Sequence, residues 1–411
     1  MIFKKYFSFY KLLNVVLRIS GTGSKFLVFA ILSKVFSDFD FGNYSLIISL
    51  ITLTIFILGL DFYNFSVRDI LKTVSVDEIR NKISSSILFY FAVYLIFVVS
   101  GLVIFENLSY TSPYVELIIL LCITEHFSQE IYRLLVGFGK VLMANILLFI
   151  RTAGWSSLVV CMALWGYSFS VEYILNIWLI ANFVTIIYVF AYLLNKNYKT
   201  LHMISLDYNW IFEGIKVSFV FFIATFFLKL IEYSNRFIVN YYLGEELTGI
   251  FTFFSSIAIL ITLYINTIVI SFELPELIKS VNKPIINDLF FKFKKSLRLQ
   301  IIVSVVIILA IIKPILMWQN KAGFQYYLPI LFFLLFGSAL MNYSLIYHFK
   351  LYIRHKDKSI AKILINAGVV SLLVCFLLTK YFGLYGASIA FAISGLYLHF
   401  LRCSKTKKIS L

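Results

Sequence analysis

The sequence predicts an all-α polytopic membrane protein, and three observations predict it. Of the 411 residues, 61% are hydrophobic and 14% charged, where soluble domains carry about 25% charged residues. Apolar runs of about twenty residues recur along the whole length, enough to cross a hydrocarbon core of about 30 Å as helices. Lysine and arginine gather in alternate connections between those runs, the pattern of the positive-inside rule.

Taken in order, the first six predicted spans are residues 11–36, 42–67, 84–105, 113–137, 141–165 and 171–194. After a polar connection come 212–240, 247–272, 299–318, 324–349, 359–379 and 384–401. Pro113 opens the fourth span and Pro275 follows the eighth, where a missing N–H costs little. Pro314 falls inside the ninth and predicts a kink. Gly137, Phe138, Gly139 and Lys140 make the turn of a hairpin between the fourth and fifth spans. The basic start, Met1-Ile-Phe-Lys-Lys-Tyr, leads into a run too long for a signal peptide and is read as an uncleaved span.

Charge then orients the bundle. Twenty-eight of the 36 Lys and Arg lie on one side, four (Lys34, Lys313, Lys321 and Lys380) on the other, and four (Lys25, Arg151, Lys229 and Arg236) within spans. That bias puts both termini in the cytoplasm and demands an even number of spans. The net charge of +16 is therefore a topology signal, and no nucleic-acid partner is expected. The outer connections, 37–41, 106–112, 166–170 and 241–246, leave no room for an extracytoplasmic domain. The longest inner connection, 273–298, places Ile286, Leu289, Phe290, Phe293 and Leu297 at helical spacing beside cations, which predicts an amphipathic helix on the anionic leaflet. Four separated cysteines, Cys122, Cys161, Cys375 and Cys403, form no CxxC pair and read as reduced thiols.

The chain also reads as doubled. Gly42-Asn43-Tyr44-Ser45 opens the second span and Gly249-Ile250-Phe251-Thr252 the eighth, an offset of 207 residues. Two six-helix bundles follow, an N-terminal lobe at 1–195 and a C-terminal lobe at 212–411, joined by a cytoplasmic linker at 196–211. Six spans per half give both halves one orientation, related by an axis along the membrane normal.

Ionisable groups at membrane depth are costly and mark function. Arg18 and Lys25 lie close to one face of the first span, with Gly21 between them. Arg151 sits at the middle of the fifth span with no acid within a turn, leaving open a cargo contact or a tie to Glu125 or Glu130 on the fourth. Lys229, Glu232 and Arg236 follow at spacings of three and four, so Glu232 can pair with either cation. His126, Glu130 and Arg133 share a face of the fourth span; His126 alone reads as a satisfied core histidine. Glu130 and Glu232 are candidates for ion coupling, because desolvation favours the neutral acid. Asp61, near the cytoplasmic end of its span, reads first as a helix-terminal residue and second as a coupling site. No metal site, paired-carboxylate site or nucleophile with its base is present, so a catalytic role is not expected.

Three stretches carry a family resemblance. Gly59-Leu60-Asp61-Phe62-Tyr63-Asn64 through Ile70 resembles the end of the second span in O-antigen flippases of the Wzx type. The hairpin from Glu125-His126 through Glu130 and Tyr132-Arg133 to Arg151 and Trp155 is similar to the same family, as is Gly383-Leu384-Tyr385-Gly386-Ala387. The likeness covers nearly the whole chain and places it in the multidrug/oligosaccharidyl-lipid/polysaccharide (MOP) exporter superfamily. Where relatives often carry an acid just before Arg236, this chain has Asn235, and Glu232 is positioned to substitute.

The resemblance implies a MATE-like, V-shaped pair of six-helix bundles in the bacterial inner membrane. It implies flipping of an undecaprenyl-pyrophosphate-linked oligosaccharide repeat unit to the periplasmic leaflet by alternating access, without a bound cofactor and with a proton or sodium gradient as the candidate drive. Polymerase and chain-length proteins of the pathway are the implied partners besides the bilayer. On this reading Arg151, Lys229, Arg236, Lys25 and Arg18 line a cationic passage. The rival readings are a multidrug exporter of the same fold, which would want an acidic aromatic cavity, and an integral-membrane polymerase or glycosyltransferase, which would want a long outer loop.

Overall fold

A computed structural model describes residues 2–195, 206–280 and 283–407, and every regular element among them is helical. The first set is α1 (Ile2–Val35), α2 (Asp38–Gly59), α3 (Tyr63–Ile70), α4 (Val76–Glu106) and α5 (Val115–Gly137). It continues with α6 (Val141–Phe149), a π-helical turn at Ile150–Gly154, α7 (Trp155–Leu164) and α8 (Val171–Asn195). Then come α9 (Tyr208–Ile265), a second π turn (Asn266–Ile270) and α10 (Ser271–Lys279). The chain closes with α11 (Ile286–Gln319), α12 (Ala322–Tyr326), α13 (Ile330–Tyr343), α14 (Leu345–Ile353) and α15 (Asp357–Thr406).

Eight helical stretches among the described residues are long and apolar enough to cross a bilayer. Two of them are double: the 72 residues of Tyr208–Lys279 break at Gly244 (φ 80°), and the 50 of Asp357–Thr406 break at Gly383 (φ 57°). A side chain is strained at positive φ, so glycine permits two spans to join there without a loop. α5 adds a further 23-residue helix that carries four of the chain's charged side chains, Glu116, Glu125, Glu130 and Arg133. The arrangement is compatible with the twelve spans expected.

By contact, the chain falls into two units. The first comprises Met1–Phe36 and Ile47–Phe222, the second Ser37–Leu46 and Ile223–Leu411. The start of α2 thus belongs to the second unit and the start of α9 to the first. Most of the linker expected at 196–211 lies outside the described residues.

In the first unit, α3, α4, α5 and α9 close on an aromatic core. Phe62 is fully buried, 4.4 Å from the Phe89 ring and edge-on to Trp210 at 5.7 Å. The Trp210 indole donates to Asp69 Oδ2 (2.8 Å), and Lys82 pairs with the same oxygen at 2.8 Å, which pins the start of α9 to α3 and α4. In the second unit, α9, α14 and both parts of α15 share a core built on Ile231, Leu351, Ile363, Leu364 and Leu398. There the two copies of the repeated segment meet, since a Cβ on Gly249 would stand 3.1 Å from the Gly42 nitrogen. Beside them Lys321 pairs with Asp38 at 2.6 Å, and Phe324 packs between Phe41 and Phe253.

Three expectations need adjusting. The second span ends at Gly59, not near 67, because Leu60 and Asp61 both take positive φ (45° and 52°) before α3 begins. The helix around Pro275 does not stop at the proline but runs on to Lys279, after the π turn that precedes it. By contrast α11 runs through Pro314 to Gln319, close to the end expected for the ninth span. The amphipathic segment of the inner connection exists, but it is the first part of α11. Ile286, Phe290, Phe293 and Leu297 are buried in the protein, with Phe293 edge-on to Phe349, so this apolar stripe is not free to cover lipid.

Candidate functional site

The first unit holds two polar clusters at span depth. The deeper one is built where α1 crosses the π turn of the fifth span. Gly21 makes the crossing possible: a Cβ there would fall 2.5 Å from Thr152 Oγ1. The π turn carries Arg151, and such turns recur at functional sites because they redirect one side chain out of helical register. Arg151 Nη1 donates to Glu125 Oε1 (2.7 Å) and to the Glu125 carbonyl (3.3 Å). The other carboxylate oxygen accepts from the Trp178 indole at 3.2 Å. Trp178 stacks on Trp155, and the Lys25 ammonium lies 5.5 Å from the Trp178 ring centre, within electrostatic reach of both Glu125 and Arg151.

The tie of Arg151 to Glu125 is one of the alternatives its sequence context leaves open, and Glu125, not Glu130, is the partner. Among the described residues no other protein acceptor bonds the guanidinium. One carboxylate therefore faces two basic side chains here. The side chain of Arg18 lies outside the described residues.

The second cluster gathers around Glu130 on α5. Its carboxylate pairs with Arg133, accepts from Tyr90 Oη (2.9 Å), and stands 3.6 Å from His126 Nε2. His126 Nδ1 bonds Tyr94 Oη at 2.6 Å, and Arg133 lies over the Tyr63 ring at 3.7 Å. Asp61 is buried and within electrostatic reach of Glu130, held there by the left-handed turn that ends α2. Two acids, one guanidinium and an imidazole thus share one pocket of low dielectric, an arrangement suited to holding or passing a proton.

In the second unit, the first part of α9 carries the third cluster. Lys229 pairs with Glu232 at 2.6 Å, partly exposed. Arg236 is buried, with its guanidinium 4.9 Å from the Tyr233 ring centre and 3.4 Å from Ser255 Oγ. Asn235 is buried beside it with neither side-chain polar atom bonded. Glu232 pairs with Lys229 and lies within electrostatic reach of Arg236 as well.

Sequence reasoning missed Trp178, Tyr90, Tyr94, Tyr233 and Ser255. Trp178, Tyr90, Tyr94 and Ser255 reach their charge from another span, which leaves no local spacing to read. Tyr233, by contrast, stands three residues before Arg236 and four after Lys229, a helical spacing that was there to read. No group of His, Cys, Asp and Glu that could hold a metal ion occurs among the described residues.

Comparison with known proteins bears directly on this geometry. The family described as "Polysaccharide biosynthesis protein" matches residues 12–281, well over half of the chain. The chain belongs to it. Solved structures bear on the fold. An inward-facing multidrug resistance MATE transporter of the MOP superfamily superposes with a TM-score of 0.75 at 13% identity, covering 97% of this chain and 100% of that one. An outward-facing MATE transporter of the same superfamily gives 0.62 at 14%, covering 97% and 96%. The MATE multidrug transporter DinF-BH, solved as a complex, gives 0.61 at 12%, covering 97% and 95%. No curated protein matches the sequence. The chain is thus a multi-pass membrane protein of the polysaccharide biosynthesis family with a MATE-like fold.

Proposed function

We propose that this transporter flips undecaprenyl-pyrophosphate-linked O-antigen repeat units from the cytoplasmic to the periplasmic leaflet of the bacterial inner membrane, by alternating access and with both termini in the cytoplasm. The observation that carries the reading lies in the first unit, where Lys25 and Arg151 both face one acid, Glu125. A positive charge at membrane depth is unfavourable unless an anion or water meets it. A lipid diphosphate supplies that anion, and its prenyl chain stays in hydrocarbon. Arg151 offers the unbonded part of its guanidinium for a charge-assisted contact with phosphate oxygens, while Lys25 acts as a point charge beside it.

The polymerase and chain-length proteins of the same pathway are the proposed partners. Coupling is assigned to the Glu130–His126–Asp61 cluster and, in the second unit, to Glu232, with a proton or sodium gradient as the drive.

The experiment replaces Arg151 with Ala, confirms insertion and folding, and measures lipid-linked glycan on each leaflet. Accumulation on the inner face with loss of surface polysaccharide is expected; normal surface polysaccharide in a folded variant removes Arg151 from the path. Multidrug export is the second reading, favoured by the solved multidrug transporters of like fold. Efflux of a cationic dye by the purified protein in vesicles, with no movement of a prenyl diphosphate, would favour export over flipping.

A further inference from the structure

The inner end of the second unit holds a buried charge that the transport clusters do not use. Arg402, on the last turns of α15, is 3% exposed, and Nη1 donates to Ser344 Oγ at 2.6 Å. Ser344 is fully buried at the break between α13 and α14, and its own hydroxyl donates to the Met341 carbonyl. Among the described residues Arg402 has no carboxylate partner. The sequence offers few, with Asp288 and Asp357 the only acids between 286 and 407 against fifteen Lys and Arg. A guanidinium out of water with one hydroxyl for its five donors is unfavourable as it stands.

The surroundings are cationic and aromatic. His348 and His399 both lie within electrostatic reach of Arg402. His399 Nδ1 is shielded from solvent and has no hydrogen-bond partner. The Tyr343 ring stacks on the His399 imidazole at 5.5 Å, and Arg298 of α11 donates to Tyr343 Oη at 3.2 Å. Unused donors, two imidazoles and a second guanidinium thus converge without an acid. That composition suits a dianionic oxyanion, for which arginine is the preferred bidentate donor.

We propose that Arg402, with His399, Ser344 and Arg298, forms a phosphate-binding site at the cytoplasmic end of the second unit, taking a phosphate or diphosphate group. The site stands on this chain's own residues. The flippase reading adds only a source for the phosphate, the headgroup of the lipid cargo on its way in.

The test uses the full chain in neutral phosphatidylcholine nanodiscs, titrated by calorimetry with inorganic pyrophosphate and, separately, with geranylgeranyl diphosphate against empty nanodiscs. Binding of both probes assigns a free-anion site; binding of the prenyl diphosphate alone assigns a lipid-headgroup site. In either case Arg402→Gln is expected to weaken binding about tenfold or more, the worth of one charge-assisted bond. Arg402→Lys, which keeps the charge but loses the fork, should fall between the two. If R402Q does not fold, Arg298→Gln on the exposed side should still weaken binding severalfold. Absence of binding by the wild type, or undiminished affinity in folded R402Q, overturns the site; so does undiminished affinity in R298Q where R402Q cannot be made. Because the transport reading gives Arg151 the same headgroup, each titration is repeated in Arg151→Ala: binding that survives there and falls on adding R402Q belongs to this site, and binding lost with Arg151 alone belongs to the transport site and overturns this one, so the two readings fail separately.

Discussion

At the residue scale, the Glu125–Arg151 pair poses a question that substitution can answer. Both side chains are almost fully buried. Removing one partner of such a pair leaves an uncompensated charge and costs about 3–5 kcal/mol, whereas replacing both with apolar groups is often neutral. Glu125→Gln is therefore expected to lower the thermal unfolding midpoint strongly, read by fluorescence-detected size exclusion after heating. The double variant Glu125→Leu with Arg151→Met should recover part of that stability, with the remainder held back because Lys25 loses its acid. The transport reading adds a second outcome: the recovered double variant folds and does not move lipid-linked glycan. A double variant that is both stable and active would reduce the pair to a helix tie.

How far these residues could be read in advance follows from the range of the relations involved. Lys229 with Glu232 was legible because three residues along a helix is a fixed geometry. The partner of Arg151 was legible only as a choice between two acids, since residues on neighbouring spans can pair in more than one register. Trp178, which takes the second oxygen of Glu125, had no signal at all, because an indole on an apolar span looks like core. Leu60 and Asp61 at positive φ were equally invisible, for hydropathy carries no information on the sign of a dihedral.

At the scale of elements, the joints of the fold are where substitutions should tell most. Gly383 (φ 57°, ψ −138°) and Gly244 (φ 80°, ψ −179°) join pairs of spans in backbone conformations closed to other residues. Gly244→Ala and Gly383→Ala should each cost about 1–3 kcal/mol through backbone strain, seen as lower folded yield from membranes. Alanine at Gly137, where the helix is regular and neighbouring side chains can give, is the milder control. The spans themselves were legible from apolar length, but not that their joints are single glycines: a loop predicted as six residues and one predicted as four both collapse to one dihedral.

A second joint, between α3 and α9, responds to pH. Burial alone would raise the Asp69 carboxyl, but the hydrogen bonds from Lys82 and Trp210 and the nearby ammonium groups outweigh it, so its pKa falls below the ordinary 3.8. A depressed carboxyl contributes stability that is complete above its unfolded pKa and lost as pH falls through the folded one. Asp69→Asn should imitate that loss at neutral pH. The measurement is hydrogen exchange across Tyr208–Phe212: protection is expected to drop in D69N at pH 7, and in the wild type only below about pH 4. Unchanged protection in D69N would mean that the aromatic core around Phe62, not the ion pair, holds the start of α9.

For the molecule as a whole, the distribution of charge makes a claim that no single cluster makes. Twenty-eight cations assigned to one side against four on the other predict which way the chain sits, because moving one basic residue across a bilayer during insertion costs several kcal/mol. A fluorescent protein fused after Leu411 should therefore fold and fluoresce, and alkaline phosphatase at the same point should stay inactive. At Tyr167, in the short connection after α7, the two reporters should exchange outcomes. The same predicted orientation puts Arg402 and the basic start of α11 on the side from which the proposed flippase would take its cargo. It also places the Asp38–Lys321 pair on the opposite side. Reversed reporter activities would put the phosphate site on the outer face, and with it the direction of transport argued here would fail even if every cluster were as described.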